Sequence, residues 1–520
     1  MTGGQWSAPI TWADMGYLAP EATLAAFMLA LVLLDLLMPR KYNRSLIGWI
    51  ALGGVLVSMG LVIWRMLEMN PVWGAPEDAV RAGAAVSLLG DSYRIDDFAS
   101  LMKTVFLAAT GLILLMSVET VKERDVPTRG EFYYLLLPAT IGAMTMASAG
   151  DLITLYIGLE LLSITTYVLV GLRKRSSKSF EAAFKYIVTG GISSAFILFG
   201  MSYLYGLTGS TGLNEIGMAL PQLVTDYQAL VYAAFFFMIA GFGIKIAAAP
   251  FHAWAPDVYQ GAPTPVTAYL AVVSKTAALA IVMRVFYNTV YFAESGAAPV
   301  NKDVFTALLA VAAMAMIVGS AAALRQRNAK RLLALSGVAN AGYLLVPIGL
   351  SLSGAHSNNF GEFFFYAAAY LFMNIGMFAV LSAVSDSTGN TEISRFAGLY
   401  HRAPWTAAAS VVLLLSLAGL PVTGGFFGKL FILMGAAAER QYWLAAIMAV
   451  TSIVTYYFYF GIIRQMFMRT ASDEPLRMPA TVSLTLWLCA VATVLLGLFP
   501  NPVMQWIDRI FSLPGDLIIR

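Results

Sequence analysis

Cysteine and histidine are nearly missing from this chain of 520 residues. One cysteine, Cys489, excludes an internal disulfide and any cysteine-rich metal or iron–sulfur site. The three histidines, His252, His356 and His401, fall near expected helix ends or in loops, so they offer no paired axial ligands for a haem inside a membrane. Charge is scarce as well. Only 12% of residues are Asp, Glu, Lys or Arg, against roughly 25% in soluble domains, which excludes an ordinary water-soluble globule. No Lys or Arg precedes Arg40, so the basic start of a signal peptide is lacking and the first apolar helix is expected to be retained. Motifs of soluble chemistry are absent too. In GGFFGKL the position five before Gly428 is Thr423 and Leu430 follows Lys429, so the phosphate-loop pattern fails. There is no G-x-G-x-x-G opening a helix after a strand, no nucleophile elbow and no metal-ligand pair at helical spacing. A net charge of +3 says little by itself, and no nucleic-acid partner is expected.

What is present is apolar: 59% of residues are hydrophobic and the mean hydropathy is +0.74, the composition of a polytopic membrane protein lying in a lipid bilayer. Spans are expected near 17–38, 45–67, 98–119, 131–149, 151–171, 180–206, 228–249, 265–288, 304–323, 332–352, 362–384, 405–435, 442–463 and 480–499. Each is near the ~20 residues a helix needs to cross, giving about fourteen crossings and an all-α fold. Basic residues follow the odd-numbered spans: Arg40, Lys41 and Arg44; Lys122, Arg124 and Arg129; Arg173, Lys174, Arg175 and Lys178; Arg325, Arg327, Lys330 and Arg331; Arg395 and Arg402; Arg464, Arg469 and Arg477. Even-numbered exits carry acids instead, among them Glu77, Asp78, Asp91, Asp96, Asp97, Glu215 and Asp226. The positive-inside rule then puts both termini on the far side from the cytoplasm. The loop after the seventh span has no Lys or Arg and is assigned by parity.

Five basic residues remain inside spans: Lys103, Lys185, Lys245, Lys275 and Lys429. The matching acid is Glu160; Glu21 and Asp35 fall nearer the ends of the first span. A lysine at membrane depth costs roughly 2.5–3.5 kcal/mol on insertion scales, so it needs a partner, a route to the interface or a function. Snorkelling or a structural ion pair suits Lys103, Glu21 and Asp35, whose positions allow it. Lys185 is intermediate, a turn or two from the basic 173–178 loop yet beside the pair Gly190–Gly191 that lets helices approach closely. Lys245 and Lys275 bracket a stretch with Pro250, Pro256, Pro263 and Pro265, where a continuous helix is not expected. Near the end, Pro421 and Gly424–Gly425 interrupt a second apolar run just before Lys429. Interrupted spans at corresponding places in two halves point to inverted repeats with ion sites at mid-membrane. Here they are the seventh and twelfth spans, five apart, so spans 4–8 and 9–13 form the expected repeats. That divides the chain into 1–120, 121–300, 301–475 and 476–520.

Five segments carry a resemblance: GLELLSITTYVLVG, EAAFKYIVTGGISSAFILFGMSYLYGLTG, GFGIKIAAAPFHAWAPDVYQGAPTPVTAYLAVVSK, AKRLLALSGVANAGYLL and GLPVTGGFFGKL. Together they resemble the antiporter-like subunits of respiratory complex I, the proton-pumping NADH:quinone oxidoreductase, from about residue 20 to 500. FKYIVTGG and FHAWAPDVYQGAPTPVTAYL favour the N type, and the long lateral C-terminal helix of the L type is not expected. The resemblance implies a proton relay through Glu160 of the fifth helix, Lys185 of the sixth, Lys245 of the seventh, Lys275 of the eighth and Lys429 of the twelfth, with His252 a further candidate. Asn340 stands where relatives commonly carry histidine, so a water chain is expected to bridge that point. Glu160 would hold Lys245 charged, and separating the two would send the proton toward Lys275, with Lys429 as the exit station. NAD, FMN, iron–sulfur clusters and quinone are implied for other subunits and no cofactor for this one. Its partners would be membrane and peripheral subunits of the complex, among them a neighbouring antiporter-like subunit, in a bacterial inner membrane with both termini periplasmic. A cation/proton antiporter subunit of the Mrp type and a purely structural membrane subunit are the alternatives.

Overall fold

The computed structural model describes residues 12–39, 42–69, 85–293, 299–350, 358–469, 476–511 and 517; the expected loop residues Arg40, Lys41, Glu77 and Asp78, together with His356, lie outside them. Among the described residues, twelve helices are long and apolar enough to cross a membrane. The expected fourth span is the helix Arg129–Ser148, and the expected twelfth is a pair of shorter apolar helices, Pro404–Ala418 and Gly424–Ala438. Ordinal numbers below keep the order expected from the sequence.

Two elements were not expected. Val86–Leu88 and Tyr93–Ile95 form a small antiparallel hairpin with Ser87 opposite Arg94, so the fold is nearly rather than wholly helical. Between the sixth and seventh spans runs Leu213–Asp226, which buries Leu213, Ile216, Leu220 and Val224 along one stripe, the pattern of a helix lying on a surface. Both were obscured because neither is long or apolar enough to register as a crossing.

Loops after odd-numbered spans meet one another. Lys122 pairs with Asp386 at 2.5 Å, Arg129 donates to Asn43, Ile393 N–H donates to Arg327 C=O, and Gly398 N–H to Gln465 C=O. Loops after even-numbered spans meet on the opposite face, where Gly150 N–H donates to Ser92 C=O and Leu213 N–H to Gly150 C=O. The link after the seventh span, which carries no basic residue, joins the basic face: Lys330 Nζ donates to Ala262 C=O at 2.7 Å.

The middle of the molecule is spans 8, 10 and 11, whose most apolar windows are 94%, 100% and 89% buried, against 22% for the first span. Apolar residues all round a helix suit the core of a bundle, whereas the exposed Leu29, Leu33, Leu36 and Leu37 of the first span suit lipid. Similar details recur in the two halves. Asp151 and Asn328 cap spans 5 and 10; Leu152 N–H donates to Thr211 C=O and Ala329 N–H to Thr391 C=O; Gly209 and Gly389 end spans 6 and 11 in left-handed conformation.

Both expected helix breaks are present. Span 7 runs over Gln228–Ile246, stops at left-handed Ala247 and resumes as Ala255–Gly261. Span 12 stops at left-handed Gly419 and resumes at Gly424. Span 8 begins at Thr264 and passes through a π turn, Leu270–Ser274, immediately before Lys275.

Lys103 and Glu21 do not snorkel. Lys103 is fully buried, with Nζ 2.8 Å from Glu21 Oε1 and 2.8 Å from Tyr93 Oη, while Tyr93 donates to the same carboxylate oxygen at 2.7 Å. Asp35 pairs with Arg44 at 2.7 Å. Breaking a buried pair by removing one partner is worth about 3–5 kcal/mol, because it strands the other charge. Lys103→Ala is therefore expected to lower the thermal midpoint of the detergent-solubilised assembly, and Glu21→Gln/Lys103→Met to restore most of it. A scanning-fluorimetry series in which the double variant is no better than the single one would remove the pairing from the account.

Candidate functional site

Lys245 is the next-to-last residue of the first half of span 7, so the break leaves its side chain beside span 5. Its ammonium donates to Ser163 Oγ at 2.8 Å and to Tyr167 Oη at 3.4 Å, and it lies 5.9 Å from the centre of the Tyr167 ring. Glu160, Ser163 and Tyr167 stand at i, i+3 and i+7 and share one face of span 5. The Tyr167 hydroxyl reaches this point because Gly190 faces it: a Cβ there would sit 1.9 Å from the oxygen. Gly191 faces open space, so only one of the expected glycine pair serves a close approach. Glu160 accepts from Ser194 Oγ. The expected pairing of Glu160 with Lys245 thus takes a different form. Among the described residues the two make no direct ion pair within 4.0 Å, and Lys245 instead bonds a hydroxyl one helical turn along from the glutamate.

Lys275 follows the π turn and is buried, donating to Gly337 C=O of span 10 at 2.6 Å. A Cβ on Gly337 would lie 2.9 Å from that ammonium and 3.1 Å from Tyr370 Oη, so the lack of a side chain makes the space in which the lysine ends. π turns of this kind are frequent at functional sites.

A row of hydroxyls leads away along span 10. Ser336 Oγ and Tyr459 Oη are 2.5 Å apart, Asn340 Nδ2 reaches Ser336 Oγ at 3.5 Å, and Tyr366 Oη donates to Asn340 Oδ1 at 2.6 Å. The rings of Tyr366 and Tyr343 meet edge to face at 6.2 Å, and Lys429 Nζ lies 5.0 Å from the centre of the Tyr343 ring. Lys429 donates to Leu417 C=O at 3.0 Å and Ala418 C=O at 3.3 Å, the last carbonyls of the first half of span 12. Those carbonyls are free because the helix ends there, and a helix C-terminus attracts a cation. The break in span 12 is what supplies Lys429 with acceptors.

Lys185 is placed elsewhere. It is partly exposed near the basic face, paired with Glu181 and Asp257 at 2.6 Å each, and Asp257 also accepts from Arg331. The structure does not bring it to Lys245 or Lys275, although its neighbour Tyr186 packs against Tyr167, a partner of Lys245, at 4.8 Å and against Trp254 at 4.9 Å. His252 sits in the break of span 7, with Nδ1 buried and lacking a protein partner.

The hydroxyls of Ser163, Tyr167, Ser336, Tyr343, Tyr366 and Tyr459 were not singled out from the sequence. Their signal was available: a tyrosine in mid-span needs a partner for its O–H, which a phenylalanine does not.

Residues 149–455, more than half of the chain, match the family described as NADH:quinone oxidoreductase/Mrp antiporter, transmembrane. The chain belongs to that family. Its sequence is 60% identical to NADH-quinone oxidoreductase subunit N of Paenibacillus sp. (strain JDR-2), covering 98% of this chain and 99% of the relative. It is 45% identical to the protein of the same name from Brevibacillus brevis, covering 96% of each. Respiratory complex I from Thermus thermophilus with bound aureothin contains a chain of the same fold, with a TM-score of 0.75 and 29% identity over 94% of this chain and 98% of that one. The chain is thus a multi-pass membrane subunit of complex I, partnered by other subunits of that assembly.

Asn340→His keeps a group able to meet Tyr366 and Ser336 and is expected to be tolerated. Asn340→Leu leaves the buried Tyr366 hydroxyl without its acceptor, a loss of about 1–3 kcal/mol, and breaks the polar row while the assembly still forms. The relay expected from the resemblance is tested by proton pumping in vesicles, which leucine alone should slow; full pumping by the leucine variant would take Asn340 off that expected route.

Proposed function

We propose that this subunit carries protons through the membrane, driven by NADH:quinone oxidoreduction whose NAD, FMN, iron–sulfur and quinone sites belong to other subunits. The route is Glu160, Lys245, Lys275, the water-bridged polar row at Asn340, and Lys429 as exit station; Lys185 and His252 serve it from the side of span 7. The basic loops face the cytoplasm and both termini the periplasm. The paired caps and breaks of the two halves support spans 4–8 and 9–13 as inverted repeats within about fourteen crossings, and with them the division into 1–120, 121–300, 301–475 and 476–520.

One observation carries this reading over a purely structural one. Two buried cations outside the row have carboxylate partners: Lys103 with Glu21 and, at 2.6 Å, Arg284 with Asp96. Lys245, Lys275 and Lys429 are held by hydroxyls and backbone carbonyls, with no carboxylate in ion-pair reach among the described residues. A lysine so held can lose its proton without stranding a buried carboxylate, and regain it without finding a new partner.

Glu160→Gln keeps size and hydrogen bonding while removing charge. It is expected to assemble and to lose most quinone reductase activity and pumping, and near-normal coupled turnover would end the electrostatic role of Glu160. Lys429→Ala should impair proton release. Lys429→Arg, which can scarcely lose its proton, should be nearly as harmful. If arginine restores pumping measured by dye quenching in vesicles, titration at this site is not needed; cation exchange by the subunit without NADH would favour the Mrp-type reading instead.

A further inference from the structure

One more buried lysine shares the neutral surroundings of the relay. Lys330 is 0% exposed and is the second residue of Ala329–Gly349, the helix that forms span 10 and starts earlier than expected, where the positive end of a helix gives a cation no help. Its ammonium has three hydrogens and, among the described residues, one acceptor, Ala262 C=O at 2.7 Å. The charged side chain near it is another cation, Arg173, whose Nε is buried and without a partner.

Pro263, the residue after Ala262, lines a cavity of about 370 Å³ in the basic face, together with Arg124, Asp125, Arg173, Arg175, Ser382, Ser385, Asp386 and others. The cavity is polar and large enough for several waters, which need ~30 Å³ each. Ser382 and Ser385 belong to span 11, and the same helix carries Asn374 and Tyr370 deeper in the membrane. Asn374 Oδ1 and Tyr370 Oη are both buried and both without a partner, and buried polar atoms of that kind mark places for ordered water. Tyr370 Oη and Lys275 Nζ lie within 3.1 Å of one point, the missing Cβ of Gly337. Lys330 and Gly337 are seven residues apart on span 10, about two turns or 10 Å on the same side of the helix. An ammonium with spare donors, two unpartnered oxygens and a polar cavity therefore lie in order between the basic face and Lys275.

We propose that Lys330 is a proton-carrying residue of an intake branch that fills Lys275 from the basic face, by way of water beside Asn374 and Tyr370. The step balances simply. Lys330 gives one N–H proton to a water of the inner chain, and its amine then takes one from a protonated water in the cavity, which returns to neutral water; one N–H and one O–H bond break, one of each forms, and one positive charge moves inward. The branch rests on the proton-translocation reading above. It enters the row at its middle, so it does not pass through Glu160 and Lys245.

The alternative role for Lys330 is a clamp that ties the link after span 7 to span 10. The whole complex in inverted vesicles separates the two. Lys330→Gln keeps a donor for Ala262 C=O, and Lys330→Arg keeps donor and charge; both are expected to assemble and to lose pumping by about a hundredfold or more, the usual scale for losing a proton-transfer group. Tyr370→Phe, which removes only the hydroxyl, should slow pumping severalfold. In Lys330→Ala, methylammonium admitted to the cavity should restore part of the rate, whereas tetramethylammonium, with charge but no transferable proton, should not. Parent rates in Lys330→Gln, or equal rescue by both amines, would overturn the assignment and leave Lys330 as a clamp. Lys429→Ala serves as the control: if it too pumps normally, it is the translocation reading that fails, and if it alone is dead, only the intake branch does.

Discussion

An ammonium group in the middle of a membrane must be given oxygen, and the least costly source that is not a carboxylate is the backbone at the end of a helix. In a continuous helix each carbonyl already accepts from the N–H four residues on, so at most one lone pair is left for an ammonium, whereas the carbonyls at a helix end are free. Ending span 12 at Gly419 frees the carbonyls of Leu417 and Ala418, and Lys429 uses both. Ending span 7 at Ala247 leaves Lys245 in the last turn of a half-helix, next to the hydroxyls of span 5. Lys275 meets the same need with a carbonyl that its own π turn and the bare Gly337 bring into reach. The breaks, the π turn and the small residues are consequences of placing uncompensated cations at that depth.

The choice of neutral acceptors has a further effect on packing. A carboxylate partner would fix each lysine with a strong, directional contact, as Glu21 and Tyr93 fix Lys103. Hydroxyls and carbonyls leave spare lone pairs and spare hydrogens, so the polar row can include water without an unpaired charge appearing. The row nevertheless needs a rigid frame to stay in register. That frame is spans 8, 10 and 11, wrapped by other helices on nearly every side.

Much of this arrangement was legible in the sequence, and the legible parts share a reason. Lysines within apolar runs, and prolines or glycines that interrupt those runs, are local signals whose cost in lipid does not depend on the rest of the fold. The parity of basic loops was readable for the same reason, and contacts among the loops agree with it, down to the link at Ala262 that carries no basic residue itself. Partners were harder. Nothing local tells that Tyr366 of span 11 donates to Asn340 of span 10, or that Lys185 turns to Asp257 rather than to Lys245, since those contacts are decided by which helix faces meet. The hairpin at Val86–Ile95 and the surface helix Leu213–Asp226 escaped because neither is long or apolar enough to stand out in a chain read for membrane crossings.

The distribution of acids along the row argues for a direction of control within the proposed relay. Glu160 is the carboxylate on the face of span 5 that carries Ser163 and Tyr167, the two groups that bond Lys245. Toward Lys275 and Lys429 the surroundings turn wholly neutral: carbonyls, an amide and phenols. A movement that changes the distance between Glu160 and Lys245 therefore alters a charge–charge interaction, which at 4 Å and an effective dielectric of 20 is about 4 kcal/mol and falls slowly with distance. A similar movement near Lys429 alters only charge–dipole contacts, which are weaker and shorter in range. In the proposed relay, conformational work done on the chain by a neighbouring subunit would thus be felt most strongly at the Glu160 end, and Lys275 and Lys429 would respond to it chiefly through the charge that each preceding lysine carries.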